Sequence, residues 1–228
     1  MAKNGYTVGL YTLGCKVSQY ETEAVAEAFE RAGFLVSPFD AVCDVYVINT
    51  CTVTAESDRK SRQIIRRAVQ HNPAAVVMVC GCYAQTSGAA VARIPGVAYV
   101  SGSAHKTELP ARALSLLSAR PCGALCEVSD IGQEPFEPMA ITRAPRTRAY
   151  VKIEDGCECR CTYCAIPAAR GSVRSKAPAD VVREVMGLAR GGTREVVLTG
   201  IETASYGTDL GGVRLIDLLE MLDAEPGV

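Results

Sequence analysis

Apolar residues in the first part of the chain come in runs of strand length separated by stretches of helical period. Residues 6–13 (YTVGLYTL), 44–49 (DVYVIN), 76–80 (VVMVC) and 97–101 (VAYVS) are rich in Val, Ile and Tyr. These residue types fit a pleated, buried surface, and the four runs predict four strands. In QYETEAVAEAFERAGF, Val25, Ala28, Phe29 and Ala32 recur at i, i+3, i+4 and i+7 and Gly33 follows, which predicts a helix closed by glycine. A second helix is predicted from Ala55 to His71, ending before Asn72-Pro73. Strand and helix in alternation predict an α/β fold whose open parallel sheet carries helices on both faces.

The periodicity is lost from Pro121 to Arg148, where Pro121, Pro135, Pro138 and Pro145 fall, so this stretch reads as a connection with one short strand at LCEVSD. Alternation then restarts. AYVKIEDG predicts a strand, a cysteine loop follows, APADVVREVMGLARGG predicts a helix with Pro178 near its first turn, EVVLTG a strand and GVRLIDLLEMLDA a helix. The expected division is an α/β domain at 1–120, a connection at 121–148 and two β/α units at 149–228. Two parallel strands make too small a sheet to stand alone. The second unit is therefore expected to be cut short or to need a partner, and to leave an unpaired strand edge with uncovered apolar surface.

Composition alters this picture at one point. A length of 228 residues suits one or two domains, the hydrophobic share of 48% is ordinary, and a net charge of −1 offers no overall basic footprint for nucleic acid. The departure is eleven cysteines. The start, MAKNGYTVGLYTLGC, has no basic leader followed by a long apolar run, and no stretch reaches the roughly 18 apolar residues of a membrane span. The expectation is a cytoplasmic protein with no membrane association. Thiols are kept reduced there, so metal or redox use is expected before disulfides.

Cys15, Cys51 and Cys82 each sit just after one of the first three predicted strands, in TLGC, INTC and VCGC. In an open parallel sheet the carboxyl ends of the strands share one edge, where ligands bind, so three thiols distant in sequence would converge. The plainer alternative is three unrelated buried cysteines. A second group lies in GCECRCTYC, residues 156–164, where Cys157, Cys161 and Cys164 form Cys-x3-Cys-x2-Cys. A competing zinc ribbon would join Cys161 and Cys164 to Cys122 and Cys126, but it leaves Cys157 unused. The ferredoxin run of four cysteines followed by proline is absent. Three thiolates on a four-iron cluster leave one iron open to a small molecule that can chelate it.

CECRCTYCAIP resembles the cysteine loop of radical S-adenosylmethionine enzymes. With TLGCKVSQYETE, INTCTVTAESDRKSRQIIRRA, GCYAQ, IPAARGSVRSK and EVVLTGIETASYG, the chain resembles the methylthiotransferases among them. GCKVSQYE is most similar to the branch that modifies threonylcarbamoyladenosine in tRNA, with Ser18 where the family usually has Asn. The resemblance implies two 4Fe-4S clusters. Cys15, Cys51 and Cys82 would hold an auxiliary one carrying the sulfur to be inserted, and Cys157, Cys161 and Cys164 a radical one binding S-adenosylmethionine. Tyr163 would lie against that cofactor, and Gly200 would let the backbone approach it, its plainer reading being a turn glycine. The implied reaction replaces the C–H at C2 of an adenine next to the anticodon with methylthio. One S-adenosylmethionine supplies the methyl group and another the radical.

The implied partners are tRNA, an electron donor such as flavodoxin or ferredoxin, and a sulfur donor. Arg59, Arg62 and Arg66 form a helical stripe, and Arg143, Arg146, Arg148, Arg170 and Arg174 add a local patch, which would meet phosphates or be ordinary solvated faces. Cys159 reads as a spectator among the ligands, and Cys43, Cys80, Cys122, Cys126, His71 and His105 receive no role. The family fold continues into further barrel units and a small RNA-gripping β-domain, which this chain is expected to lack. Three readings stay open. The chain is the N-terminal part of such a tRNA enzyme, a non-catalytic iron–sulfur scaffold, or a methylthiotransferase of the isopentenyladenosine or ribosomal-protein branch.

Overall fold

The computed structural model describes residues 5–144 and 147–227; Pro145 and Arg146 of the sequence reading lie outside the described residues. The first half forms β1 (Thr7–Thr12), α1 (Lys16–Arg31), β2 (Leu35–Ser37), β3 (Val45–Thr50), α2 (Ala55–His71), β4 (Val76–Gly81), α3 (Cys82–Ala92), β5 (Val97–Ser101), α4 (Leu109–Ser118) and β6 (Leu125–Glu127). Its six strands are all parallel, in the order β2-β1-β3-β4-β5-β6. β3, β4 and β5 are buried along their whole length, which is why they read as unbroken apolar runs.

The period of two sorts their side chains between two cores. Tyr46, Ile48, Val77 and Val79 pack with Ile65 and Ala68 of α2 on one face. Val45, Val47, Met78 and Cys80 join Tyr20, Ala24 and Phe29 of α1 and Leu109 and Ala113 of α4 on the other. The start of α2 is set locally. The Thr54 hydroxyl accepts from the Ser57 amide at 3.1 Å, and Glu56 and Asp58 place negative charge in the first turn.

The second half forms β7 (Ala149–Lys152), β8 (Glu154–Asp155), α5 (Ile166–Arg170), β9 (Arg174–Ser175), α6 (Pro178–Arg190), β10 (Val196–Thr199) and α7 (Leu215–Asp223). β7 and β10 pair in parallel, and β8 pairs with β9 antiparallel. The two-stranded sheet finds its cover within the chain. Ala149, Val151 and Ile153 share one continuous core with Tyr20 and Ala24 of α1 and with Val181, Val185 and Leu188 of α6. Ile216, Leu219 and Met221 of α7 are exposed.

Several elements differ from the sequence reading. The short strand expected in the connection is the parallel edge strand β6 of the first sheet. β2, α3, α4 and α5 carry weaker signals: β2 has three residues and α5 five, and α3 departs from helical geometry at Ser87.

The turn from β4 into α3 depends on Gly81. Its φ is +93°, and a Cβ there would stand 2.5 Å from the Thr50 carbonyl oxygen and collide with the Asn49 amide oxygen. Gly81→Ala should therefore destabilise the protein by about 3 kcal/mol. Gly123→Ala, also at positive φ but with nothing within 4 Å, should cost only about 1 kcal/mol. Urea denaturation of the two variants checks the difference.

Candidate functional site

β1, β3 and β4 are neighbours in the sheet, so their carboxyl ends stand side by side at about 4.8 Å spacing. Cys15 is the residue before α1, Cys51 follows β3, and Cys82 opens α3 directly after β4. Gly14, at φ +119°, brings the Cys15 turn against its neighbour: a Cβ on it would lie 3.4 Å from Cys51 Sγ and 3.0 Å from Ser18 Oγ. Cys15 Sγ is 3.8 Å from Ser18 Oγ, which accepts from Arg170 Nη2 at 3.4 Å. Arg170 Nε in turn donates to Cys82 Sγ at 3.1 Å. Cys51 and Cys82 are buried and Cys15 is exposed. Burial pushes the Cys82 thiol up, and the Arg170 guanidinium draws it down.

The second set follows β8. The Cys157 amide donates to the Gly171 carbonyl at 3.0 Å, and the Cys164 amide to the Cys161 carbonyl at 3.0 Å, before α5 begins. Cys157 and Cys164 are half-buried, while Cys159, Cys161 and Tyr163 are exposed. A cleft of about 560 Å³ opens beside Cys157, lined by Asp130, Glu158, Arg160, Pro167 and Ser172 among others. Among the described residues no three His, Cys, Asp or Glu side chains already form a metal-holding group. The fold brings the three strand ends together and the three loop cysteines into one loop; it does not set the sulfurs in ligand geometry. Three soft thiols in each place, one set beside a buried cation, are a donor set suited to iron–sulfur chemistry.

The cysteines set aside in the sequence fall elsewhere. Cys43 and Cys80 are buried in the two cores, and burial pushes Cys80 to about 12. Cys126 lies on the edge strand β6, and Cys122 precedes it, both exposed.

The room at Gly200 is taken by a carboxylate. A Cβ there would lie 2.5 Å from Glu154 Oε2. Glu154 is buried; its Oε2 accepts from the Glu202 amide at 2.8 Å, and its Oε1 has no partner among the described residues. Burial pushes this carboxyl up to about 7, against the pull of the Glu202 and Ile201 amides and with the help of the nearby Asp155 and Glu202 charges.

Sequence reasoning also missed a buried ion network between the two halves. Arg170 Nη1 lies 2.6 Å from Glu21 Oε1 and 3.1 Å from Asp155 Oδ2. Lys152 Nζ lies 3.1 Å from each of the same two carboxylates, and Lys106 Nζ 3.5 Å from Glu21. Burial alone would raise both carboxyls, but the cations outweigh it: Arg170, Lys106 and Lys152 hold Glu21 well below its usual range, and Arg170 and Lys152 lower Asp155. The available signal was Lys152 and Asp155 inside a strand run that is otherwise mostly apolar. Charges so placed need partners.

The basic residues separate. Arg170 is fully buried and leaves the phosphate patch, which corrects the sequence reading. Arg59 pairs with Glu56, Arg143 with Glu30 and Arg148 with Glu195, and Arg62 donates to the Tyr83 hydroxyl at 3.0 Å. Arg174 is turned onto the carbonyls of Arg170 and Glu134. Arg146 lies outside the described residues.

Residues 7–102 match the family described as uncharacterized protein family UPF0004, and residues 151–226 match the radical SAM superfamily. The chain is 44% identical to the threonylcarbamoyladenosine tRNA methylthiotransferase MtaB of Bacillus subtilis, over 95% of this chain and 48% of that protein. The chain is a relative of the radical S-adenosylmethionine methylthiotransferases. It is 38% identical to the MtaB of Aquifex aeolicus, over 96% of this chain and 53% of that one. Identity to the tRNA-2-methylthio-N(6)-dimethylallyladenosine synthase of a Sulfurihydrogenibium species is 30%, over 95% of this chain and 51% of that one. Of these three, the two of higher identity are of the branch that residues 14–21 indicate. The chain spans about half the length of these methylthiotransferases. The solved structure of the radical S-adenosylmethionine methyltransferase TsrM from Kitasatospora setae, with cobalamin and a [4Fe-4S] cluster bound, aligns with TM-score 0.62 at 17% identity, over 96% of this chain and 50% of that one, a likeness of fold. No helix of the described residues is long and apolar enough to cross a membrane.

A carboxyl raised to about 7 contributes stability that is fully present below about pH 4.5, the unfolded value, and is lost as pH rises through 7. Glu154→Gln keeps the acceptor for Glu202 and cannot ionise. Its melting temperature should match that of the parent near pH 5 and exceed it by several degrees at pH 8, which paired thermal melts at the two pH values measure.

Proposed function

We propose that this chain carries the cluster-binding and cofactor-binding part of a tRNA methylthiotransferase that acts on threonylcarbamoyladenosine next to the anticodon. The observation that supports the reading is two three-cysteine sets, one at the carboxyl ends of the parallel strands β1, β3 and β4 and one in the loop after β8, with Arg170 from beyond that loop reaching Cys82 of the first. Cys15, Cys51 and Cys82 would hold an auxiliary four-iron cluster, and Cys157, Cys161 and Cys164 the radical one. When bound, the clusters would supply an open iron each, one for the sulfur to be inserted and one for chelation and reductive cleavage of S-adenosylmethionine.

The chain's own residues have distinct tasks. The exposed Cys159–Tyr163 stretch and the cleft beside Cys157 leave the second site open to a small molecule, and the exposed Tyr163 of the same loop would lie against a bound cofactor. The first site is closed on the side of Cys51 and Cys82 and open at Cys15, from which a sulfur source and the base would enter. The tRNA contact falls to surface arginines such as Arg59 and Arg66, and the electrons to a flavodoxin or ferredoxin.

Anaerobically reconstituted protein should bind two four-iron clusters, and Cys157→Ala with Cys161→Ala should remove one of them. Bound zinc without iron–sulfur absorbance would overturn the assignment. The substrate is tested with the gene in its native reading frame, in cells whose tRNA lacks the methylthio group on threonylcarbamoyladenosine. Nucleoside mass spectrometry should show the methylthio product restored, and lost again with either cysteine set changed to alanine. Unmodified tRNA from cells in which both clusters are present would refute the substrate assignment.

A further inference from the structure

We propose that Arg170, from the unit that carries the Cys157 loop, is a positioning residue for the first cluster, so that the second unit completes the metal site of the first. This rests on the assignment of that cluster to Cys15, Cys51 and Cys82. The guanidinium is fully buried and its N–H groups are committed. Nη1 faces Glu21 at 2.6 Å and Asp155 at 3.1 Å; Nη2 faces Glu21 Oε2 at 3.3 Å and Ser18 Oγ at 3.4 Å. The planar fork fixes the orientation of the group, and Nε–H is left aimed at Cys82 Sγ, 3.1 Å away.

Charge points the same way. Three cations, Lys106, Lys152 and Arg170, share two carboxylates, Glu21 and Asp155, so the directly paired groups carry one positive charge in excess. Glu137 adds its charge at Lys152; its Oε1 accepts from the amide and hydroxyl of Thr107 and its Oε2 is buried without a hydrogen-bond partner among the described residues, whereas the Nε–H of Arg170 is directed at Cys82. A buried excess charge is costly unless an anion meets it. The sulfur of Cys82 is the atom at which Arg170 leaves the network, and an iron-bound thiolate there would place a negative charge directly on the Arg170 Nε–H. Ser18, between Cys15 and Arg170, extends the same contact toward a second ligand of the set.

An N–H donor on a cluster sulfur and a buried cation beside it both favour the more reduced, more negative state of the cluster, raising its potential. Arg170 would also keep water from the Cys82 side. The potential and retention of the first cluster would then depend on docking of the second unit, through a residue six positions beyond Cys164.

The test uses the full chain with Cys157, Cys161 and Cys164 changed to alanine, so that only the first cluster can contribute. In that background Glu21→Gln with Arg170→Met removes one charge of each sign and leaves the net charge of the network unchanged. It should load iron and sulfide as the background protein does and melt cooperatively. Its cluster should have a more negative midpoint potential, and it should release iron to a chelator about tenfold faster. Arg170→Lys, which keeps the charge without the fork, should recover part of the potential. Lys152→Met, which removes a cation that does not touch Cys82, should shift it far less.

An unchanged potential and release rate in a loaded Glu21→Gln/Arg170→Met protein would overturn the inference. So would a Lys152→Met shift as large as that of the double variant. Absence of any cluster in the background protein would instead remove the cluster assignment itself, and this inference with it.

Discussion

Five ionised side chains, Glu21, Lys106, Lys152, Asp155 and Arg170, are buried together where the two halves of the chain meet. Each costs several kcal/mol to remove from water, and the attraction between them offsets this only when the geometry is good and the remaining hydrogen bonds are made. The network is therefore weak evidence for stability and strong evidence for placement. Glu21 comes from α1, Lys106 from the turn before α4, Lys152 from β7, Asp155 from β8 and Arg170 from α5. A shift between the two units would strand charges in an apolar surround, at about 3–5 kcal/mol for each broken pair. That penalty specifies how the carboxyl ends of β1, β3 and β4 face the loop that follows β8.

α1 makes the arrangement possible because it is buried along more than one face. Tyr20 and Ala24 belong to the apolar core that also holds β7 and α6, Phe29 packs edge-to-face on Phe34, and Ser18 and Glu21 turn toward Arg170. Tyr20 reaches across as well, its hydroxyl donating to the Met139 carbonyl at 2.7 Å. A helix that served only the first sheet would show one apolar stripe. This one carries polar residues at buried positions because its second face is an interface whose specificity is electrostatic.

The legible part of the sequence was the part governed by local rules. The four main strands and α2 emerge near their observed bounds because β-branched runs and a capped amphipathic period are written within a few residues. The convergence of Cys15, Cys51 and Cys82 on one sheet edge follows from parallel topology, which alternation of strand and helix already implies. What could not be read was anything decided by contact between distant segments. β6 was expected as a short strand within the connection, but its place as the edge of the first sheet comes only from its pairing with β5. Arg170 looked like one more surface arginine, since no local pattern separates an arginine that meets Glu21, 149 positions away, from one that meets water. The need for glycine at 200 is likewise a matter of distant contact, since Glu154, 46 positions earlier, occupies the space a Cβ there would take.

The two cysteine sets occupy opposite kinds of surroundings, and this has a chemical consequence. Cys51 and Cys82 are buried, and Cys82 accepts from the buried Arg170, whereas Cys159, Cys161 and Tyr163 stand in solvent beside an open cleft. Cluster potential depends on exposure and on hydrogen bonds to sulfur. Identical clusters at the two sites would differ for reasons that lie in the protein rather than in the ligands. A site meant to exchange a small cofactor needs the open loop. A site that holds its ligands away from water needs burial on at least one side, and Arg170, contributed by the other unit, packs on Cys82 from the buried side.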